Sequence, residues 1–497
     1  MREVELAALS PLHEDADEPS DVARAPTPRI GTLAALALPL YLPSTLFSMA
    51  KAITVPLVPL LARRTLGLDD RTIGVALSAQ GVGKVACNFG SARAIAALGD
   101  RGTLLLGAGA MAAATLAIAG APGGAALAAA EFAFGAALSL QQLGRQSWVR
   151  VAVADATRGR AMALLGTWAR VASVLGPLVG GGVAAGCGPR AGLAAAPVLA
   201  ALGGAAARAK MPATAAAAPR GGGAGYGEVV AHHSWPLATT ALWGLLLFVL
   251  RTARDLAVPL AALELGCGPT AVAAVVAVSY GLDALVGAAA AGPLMDGCGR
   301  RAAGAASCAG FGLGFAALAS VLFDDGLRVL GGGDKKAPRR VAGLYGAAAL
   351  LGAANGASSG LVMTMSTDLA PEDLRGPFLA MFRVVSDTGI ILGSFAVGAV
   401  SESYALHAAC SGAAVLALAT LAFLYCVVAE TRPPPPAPPG DDDRRDAPSL
   451  LSAAKARVRA TTPRARPATY AILSPDDDDD DGELHPGDLD VDEADVA

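Results

Sequence analysis

Between Thr32 and Glu430 one long apolar segment follows another, parted by short polar breaks, and this rhythm constrains the fold more than any other feature of the chain. A helix that crosses a bilayer needs ~20 predominantly apolar residues, so the stretch has room for twelve such helices with their turns. No large soluble domain fits beside them. Of the 497 residues 54% are hydrophobic and 16% charged, where soluble domains carry about 25% charge. Mean hydropathy is +0.50. These features predict an all-α polytopic membrane protein.

The segments fall at 33–61, 72–96, 103–121, 125–146, 161–185 and 191–207, then at 235–263, 270–295, 302–322, 341–365, 378–400 and 406–428. Six precede and six follow a stretch rich in Ala, Gly and Pro that carries Arg208, Lys210 and Arg220. The expected organisation is a disordered N-terminal tail at 1–31, a six-helix bundle at 32–207, a central cytoplasmic linker at 208–234, a second six-helix bundle at 235–430 and a disordered acidic tail at 431–497. The last tail opens with Pro433 to Pro436 and holds the run Asp476 to Asp481; an acidic dileucine-like DAPSLL at 446–451 and Ser474-Pro475 also lie there. The N-terminus lacks the apolar stretch of a cleaved signal peptide, so the first apolar helix is expected to do the targeting.

Net charge is −4, and much of the acid sits in the tails, which leaves the membrane core the more basic part. Its basic residues are scattered at helix ends without a continuous patch, which argues against nucleic acid as a partner. With both termini cytoplasmic, the inner loops hold Arg101, Arg150, Arg158, Arg160, Arg208, Lys210, Arg220, Arg300, Arg301 and Arg375. The outer loops hold Arg63, Arg64, Arg71, Arg190 and a cluster at Arg328, Lys335, Lys336, Arg339 and Arg340. The balance favours cytoplasmic termini by the positive-inside rule, against which that cluster runs. The membrane is the plasma membrane or an endomembrane. Seven cysteines without CxxC spacing read as free thiols. His232 and His233 lack further ligands, so neither a metal nor a cofactor is expected.

The two halves of the core repeat one another. VADATRGRAMALLGTWARVASVLGP from Val153 overlays DLAPEDLRGPFLAMFRVVSDTGIILGS from Asp368, pairing Arg158 with Arg375, Gly159 with Gly376 and Gly176 with Gly393. Arg170 then falls opposite Asp387, each roughly 18 Å along its helix from the loop arginine, near mid-membrane. A similar overlay of the first and seventh segments pairs Pro59 with Pro259 and Lys51 with Arg251; one residue out, Lys84 falls opposite Asp283. Charges at this depth are costly unless they face a wet cavity or each other, so they mark a substrate or ion path. The plainer reading is that some only pair within the bundle or reach an interface.

Arg251 and Asp255, like Arg383 and Asp387, stand one turn apart and can neutralise each other. Glu131, in the fourth segment, and Asp283 lack a cation at that spacing, which makes them the better proton-site candidates. The cavity candidates are Lys51, Lys84, Glu131, Arg170, Arg251, Asp255, Asp283 and Asp387, with Asn355, Ser358 and Ser359 as neutral hydrogen-bond partners. The cationic members point to an anionic or zwitterionic solute.

GPLMDGCGRR at Gly292 to Arg301 resembles the loop signature G-x-L-x-D-x-x-G-R-R of the major facilitator superfamily, with Gly297 where Arg or Lys is usual. ALGDRG at 97–102 is a degenerate first copy: Asp100 and Arg101 are kept, Ala96 replaces the leading Gly, and Thr103 and Leu104 replace the closing Gly-Arg. ASVLGPLVGG at 172–181, with Gly176, Pro177, Gly180 and Gly181, resembles the family's antiporter motif, with Ala172 for its first Gly. AEFAFGAA at 130–137 stands at the family's R-x-x-x-G motif with Glu131 in place of Arg, so that arginine's proton-coupling role does not transfer.

The resemblance implies a twelve-helix transporter of two pseudo-symmetric six-helix bundles that rock around a central site, working as a monomer on a small-molecule substrate, with proton-coupled export as the first reading. Uptake or facilitated diffusion on the same fold is the alternative, and a non-transporting sensor or scaffold is a further one. It also implies gating by the loops. Asp296 would meet the fifth helix near Arg158 and Gly159, and Asp100 the eleventh near Arg375 and Gly376, since a helix N-terminus attracts an acid. Gly292, Gly299, Arg300 and Arg301 complete the better-kept loop. Enzyme patterns fail on context: the G-x-S-x-G at 356–360, the partial glycine fingerprint at 107–112 and Gly83-Lys84 all lie within apolar helices without a preceding strand.

Overall fold

A bilayer core offers no water to backbone N–H and C=O groups, so apolar crossing segments must bond internally as helices. The structure, a computed structural model, describes residues 30–212, 226–326 and 337–431, and these are helical almost throughout. Arg220, Arg328, Lys335, Lys336, the dileucine-like motif, Ser474-Pro475 and nearly all of both expected tails lie outside the described residues.

A tight 3-10 turn at Ala34–Leu36 and a wider π-helical turn at Ala37–Tyr41 lead into α1 (Leu42–Arg64), followed by α2 (Asp70–Gly120), α3 (Gly124–Ala152), α4 (Asp155–Cys187) and α5 (Pro189–Lys210). The second half holds α6 (Tyr226–Glu264), α7 (Pro269–Ala289), α8 (Ala291–Gly297), α9 (Arg300–Gly326), α10 (Ala337–Ala357), α11 (Leu361–Leu369), α12 (Arg375–Tyr404) and α13 (Leu406–Cys426). Ten helices of the described residues are long and apolar enough to cross a membrane, which makes this a multi-pass integral membrane protein.

The expected turn at ALGDRG is compressed into one residue. α2 runs unbroken through 51 residues except at Gly99, whose φ of 70° and ψ of 174° are open to glycine and strained for other residues. In the second copy GPLMDGCGRR forms the short α8, turns at Gly299 with φ 101°, and starts α9 at Arg300. The tenth apolar segment, read as continuous, breaks at the left-handed Gly360 into α10 and α11. Around the linker, helix extends further than expected: α5 reaches Lys210 and α6 starts at Tyr226, bending at His233. All seven cysteines are free.

Small residues set the helix crossings. A Cβ on Gly74 would lie 2.9 Å from the Cα of Gly398, so α2 and α12 touch backbone to backbone. Gly176 and Gly180 of α4 rest on Met49, Ala52, Ile53 and Leu57 of α1, and Gly181 on Ala273 of α7. Such close approach is how helices associate where lipid removes the hydrophobic drive between them.

Arg101 of α2 reaches the Arg208 carbonyl, Trp148 the Pro212 carbonyl, Ile30 pairs with Ala152 and Ala154, and Arg300 and Arg301 meet Glu430. These contacts bring Ile30, Arg208, Pro212 and Glu430 to one end of the helices, here the tail end. The α1–α2 and α12–α13 turns lie at the opposite end.

Candidate functional site

Helices α1 to α4 of the first half face α6, α7, α10 and α12 of the second across a cavity of about 430 Å³. Six of the eight charged cavity candidates line it, Lys51, Lys84, Glu131, Arg251, Asp255 and Asp283, as does the neutral partner Asn355. Arg170 and Asp387 stand just outside it. Arg145 and Arg254 also line the wall and were not singled out from sequence.

Most of these charges are engaged by residues far away in the chain. Asp387, buried in α12, takes Lys84 Nζ at 3.1 Å, Arg383 Nε at 3.6 Å and Asn88 Nδ2 at 3.5 Å. The Lys84 bridge joins the two halves of the chain. Arg254 is buried beneath the wall, donates to Asp255 at 2.8 Å, lies 3.8 Å from Asp283 and stacks 5.0 Å from the centre of the Tyr280 ring. Asn355 Nδ2 donates to Asp283 at 2.6 Å.

Two expectations from local spacing are thereby corrected. Asp255 pairs with its neighbour Arg254 and not with Arg251. Asp283 does not lack partners: Arg254 and Asn355 reach it from other helices, where a search along its own helix could not find them. Arg251 Nη2 instead donates to the carbonyl of Ser358 at 2.8 Å and to its hydroxyl at 2.9 Å. The break at Gly360 sits next to these acceptors. So the serines of the G-x-S-x-G decoy serve as neutral anchors, and Gly356 packs within contact of the Asp283 backbone.

Glu131 remains. Its residue is 1% exposed, its Oε1 has no hydrogen-bond partner, and no ion pair reaches it among the described residues. Arg145 of α3 is its cationic counterpart: its buried Nε is unpartnered and the side chain makes no hydrogen bond or ion pair to a described residue. Lys51 likewise has no carboxylate partner there. Arg145 closes the apolar part of its segment and so reads in sequence as an edge residue. Arg254 could have been found from the rule that already selected Arg251 and Asp255, ionisable groups deep in an apolar helix.

The two ends of the cavity differ. At the opposite end Asp70 is buried in an ion pair with Arg63, accepts the Ser401 hydroxyl at 2.5 Å, and its backbone N–H donates to Glu402 at 3.2 Å. Arg64 Nη2 donates to the Cys267 carbonyl at 2.7 Å. Toward the tail end long side chains span the halves: Arg170 lies over Gly287 and donates to Ser359, and Arg383 reaches Gln146 at 3.5 Å.

In the loop at Gly292 to Arg301, Asp296 is 80% exposed at its side chain and pairs with Arg300 at 3.3 Å. Arg300 also meets Asp368 at 3.2 Å. Glu430 accepts the backbone N–H groups of Arg300 at 2.9 Å and Arg301 at 3.0 Å, capping the N-terminus of α9 where an acid is favoured. Arg301 lies over the Tyr425 ring. In the first copy Asp100 is buried, with its carbonyl against Gly144, and Arg101 points away to the Arg208 carbonyl. Arg158 donates to the Arg150 carbonyl at 3.0 Å, while Gly159 and Gly376 face open space and Arg375 begins α12.

The family model described as Major Facilitator Superfamily matches residues 40–253 and again 243–474. No curated protein sequence gives a significant match. Among solved structures the chain is similar to the nucleoside transporter NupG, with TM-score 0.65 and 15% identity over 78% of this chain and 99% of that one. It is similar as well to a D-xylose-proton symporter, with TM-score 0.64 and 13% identity over 80% and 99% of the two chains. A third is the peptide transporter POT in complex with sulfate, with TM-score 0.63 and 14% identity over 81% and 97%. At such identities the likeness is one of fold.

Proposed function

The chain belongs to the Major Facilitator Superfamily, and on that premise we propose that it carries a small organic solute inward together with a proton, by alternating access to the central cavity. A member of this family is a transporter and not an enzyme. Ten apolar helices, together with residues 70–98 of α2 and with α6, supply twelve crossings, six on either side of residue 213. Those two additional arms carry Lys84 and the group Arg251, Arg254 and Asp255. That count supports the proposed division into bundles at 32–207 and 235–430. Arg101, Arg150, Arg158, Arg300 and Arg301 gather at the tail end, which supports cytoplasmic termini.

Glu131 carries the proposal. The other acids on the cavity wall, Asp255 and Asp283, are engaged by Arg254 and Asn355, and a lone carboxyl at this depth is the group able to take up and release a proton without breaking an ion pair. Uptake is favoured over export for two reasons. One similar fold is that of a D-xylose-proton symporter, and the glycines behind the antiporter reading, Gly176, Gly180 and Gly181, are occupied as contact surfaces for α1 and α7.

The test uses full-length protein in proteoliposomes and a solute found by thermal-shift screening. An acid-outside gradient should drive its accumulation, a protonophore should abolish that, and Glu131→Gln should lose accumulation while keeping solute counterflow. Flux indifferent to the gradient would mean a facilitator; efflux driven by the gradient would restore the export reading.

A further inference from the structure

The charges on the cavity wall do not balance. Lys84 is taken by Asp387, and Arg254 by Asp255 and Asp283. Arg251 is held by the neutral Ser358, Arg145 by no described residue, and Lys51 by no carboxylate. Arg254 offsets only one of its two aspartates, so Lys51, Lys84, Arg145, Arg251 and Arg254 stand against Glu131, Asp255, Asp283 and the Asp387 on Lys84, an excess of one positive charge. When Glu131 carries its proton, the excess is larger still.

Uncompensated charge in a desolvated site is costly, and buried charges are as a rule paired. An occupant of negative charge removes that cost. Arginine presents a planar fork of donors matched to the two oxygens of a carboxylate, and its geometry gives such pairs direction as well as strength. Arg145 offers that fork with no internal competitor, from the wall that also bears Glu131. Across the cavity, Phe248 and Tyr280 supply aromatic surface for the apolar part of a solute. A volume of about 430 Å³ suits a small molecule, the usual range being roughly 300–1,000 Å³.

We infer that the transported solute is a small organic anion and that Arg145 anchors its carboxylate. The inference rests on the transporter reading above but not on its proton coupling. A proton on Glu131 and a monocarboxylate on Arg145 would cross together without net charge.

The experiment measures thermal stabilisation of the purified full-length protein by pyruvate, lactate, succinate and benzoate, each beside its neutral amide, with ethanolamine as a cationic control. Ligand binding to the folded state raises the melting temperature. At least one carboxylate should stabilise and its amide should not. Arg145→Gln should weaken that carboxylate by roughly tenfold to a hundredfold, the range expected for a lost charged hydrogen bond, and Arg145→Lys should restore part of it. Both variants must elute as the monodisperse wild type does, and their unliganded melting curves separate a folding defect from a binding one. No carboxylate-dependent shift across the panel, or stabilisation by amides or ethanolamine instead, overturns the anion class. A carboxylate that binds Arg145→Gln as well as wild type overturns the anchor. Binding as inferred, followed by gradient-independent flux in proteoliposomes, would fail the symport reading and leave this one standing.

Discussion

Asp387 shows at the scale of one residue how a buried charge differs from a buried pair. It compensates both Lys84 and Arg383, and its side chain is 5% exposed. Asp387→Asn leaves two cations in the bundle without a carboxylate, and breaking a buried pair from one side costs about 3–5 kcal/mol. Lys84→Gln leaves Asp387 with Arg383 and should cost clearly less. Melting temperatures in detergent check the order, and equal losses would contradict this assignment of partners. Sequence reading reached Asp387, Lys84 and Glu131 from depth alone. It could not reach who pairs with whom, because spacing of three or four residues sees only partners on the same helix. That reading found Arg383 with Asp387 and missed Lys84, which comes from α2. For Asp283 the same blindness made a well-bonded acid look free, whereas Glu131 does lack a partner in space as well as along its helix.

At the scale of elements, glycines at positive φ decide where helices stop. Gly360, with φ 80° and ψ −14°, precedes α11 after α10 has ended at Ala357, beside the Ser358 acceptors that hold Arg251. A side chain in the left-handed region costs about 1–2 kcal/mol, so Gly360→Ala should lower stability by that much and loosen the Arg251 anchor. Gly376→Ala is the matched control. Gly376 lies in α12 without a positive φ and with open space around its Cα, so its replacement should be neutral or slightly stabilising. Chemical denaturation of the two variants in parallel checks this, and similar losses would show that backbone conformation is not what matters at Gly360. The turns at 97–102 and 292–301 were legible in sequence because acid, base and glycine interrupt an apolar run. Gly360 was not, since Gly-Ala-Ser-Ser-Gly is small and weakly polar throughout and reads equally well as close helix packing.

For the whole molecule, the two ends of the cavity are closed by different means. At the opposite end backbone meets backbone at Gly74 and Gly398, and the ion pair of Arg63 with Asp70 is tied to Ser401 and Glu402 of α12. At the tail end the spans of Arg170 and Arg383 are single side chains, and Asp296 remains in its own loop with Arg300. The tail end is thus the more lightly closed one, with Asp296 exposed in its own loop and Asp100 buried; in the proposed gating Asp296 docks on α4 when that end closes. The segment count and the loop signature made the architecture legible; the latch was not, because Asp70, Ser401 and Glu402 are ordinary helix-end residues until the fold joins them. If the two states interconvert, weakening each closure should shift the balance in opposite directions. Two native thiols near the opposite end report it: Cys187 is exposed, and Cys267, whose carbonyl holds Arg64, is buried. Asp70→Asn should raise maleimide labelling of Cys267 relative to Cys187 several-fold, and Asp296→Asn should lower it, with peptide masses resolving the two sites. A ratio that moves the same way in both variants would mean local loosening and not alternation. A ratio unmoved by either would place the gate elsewhere.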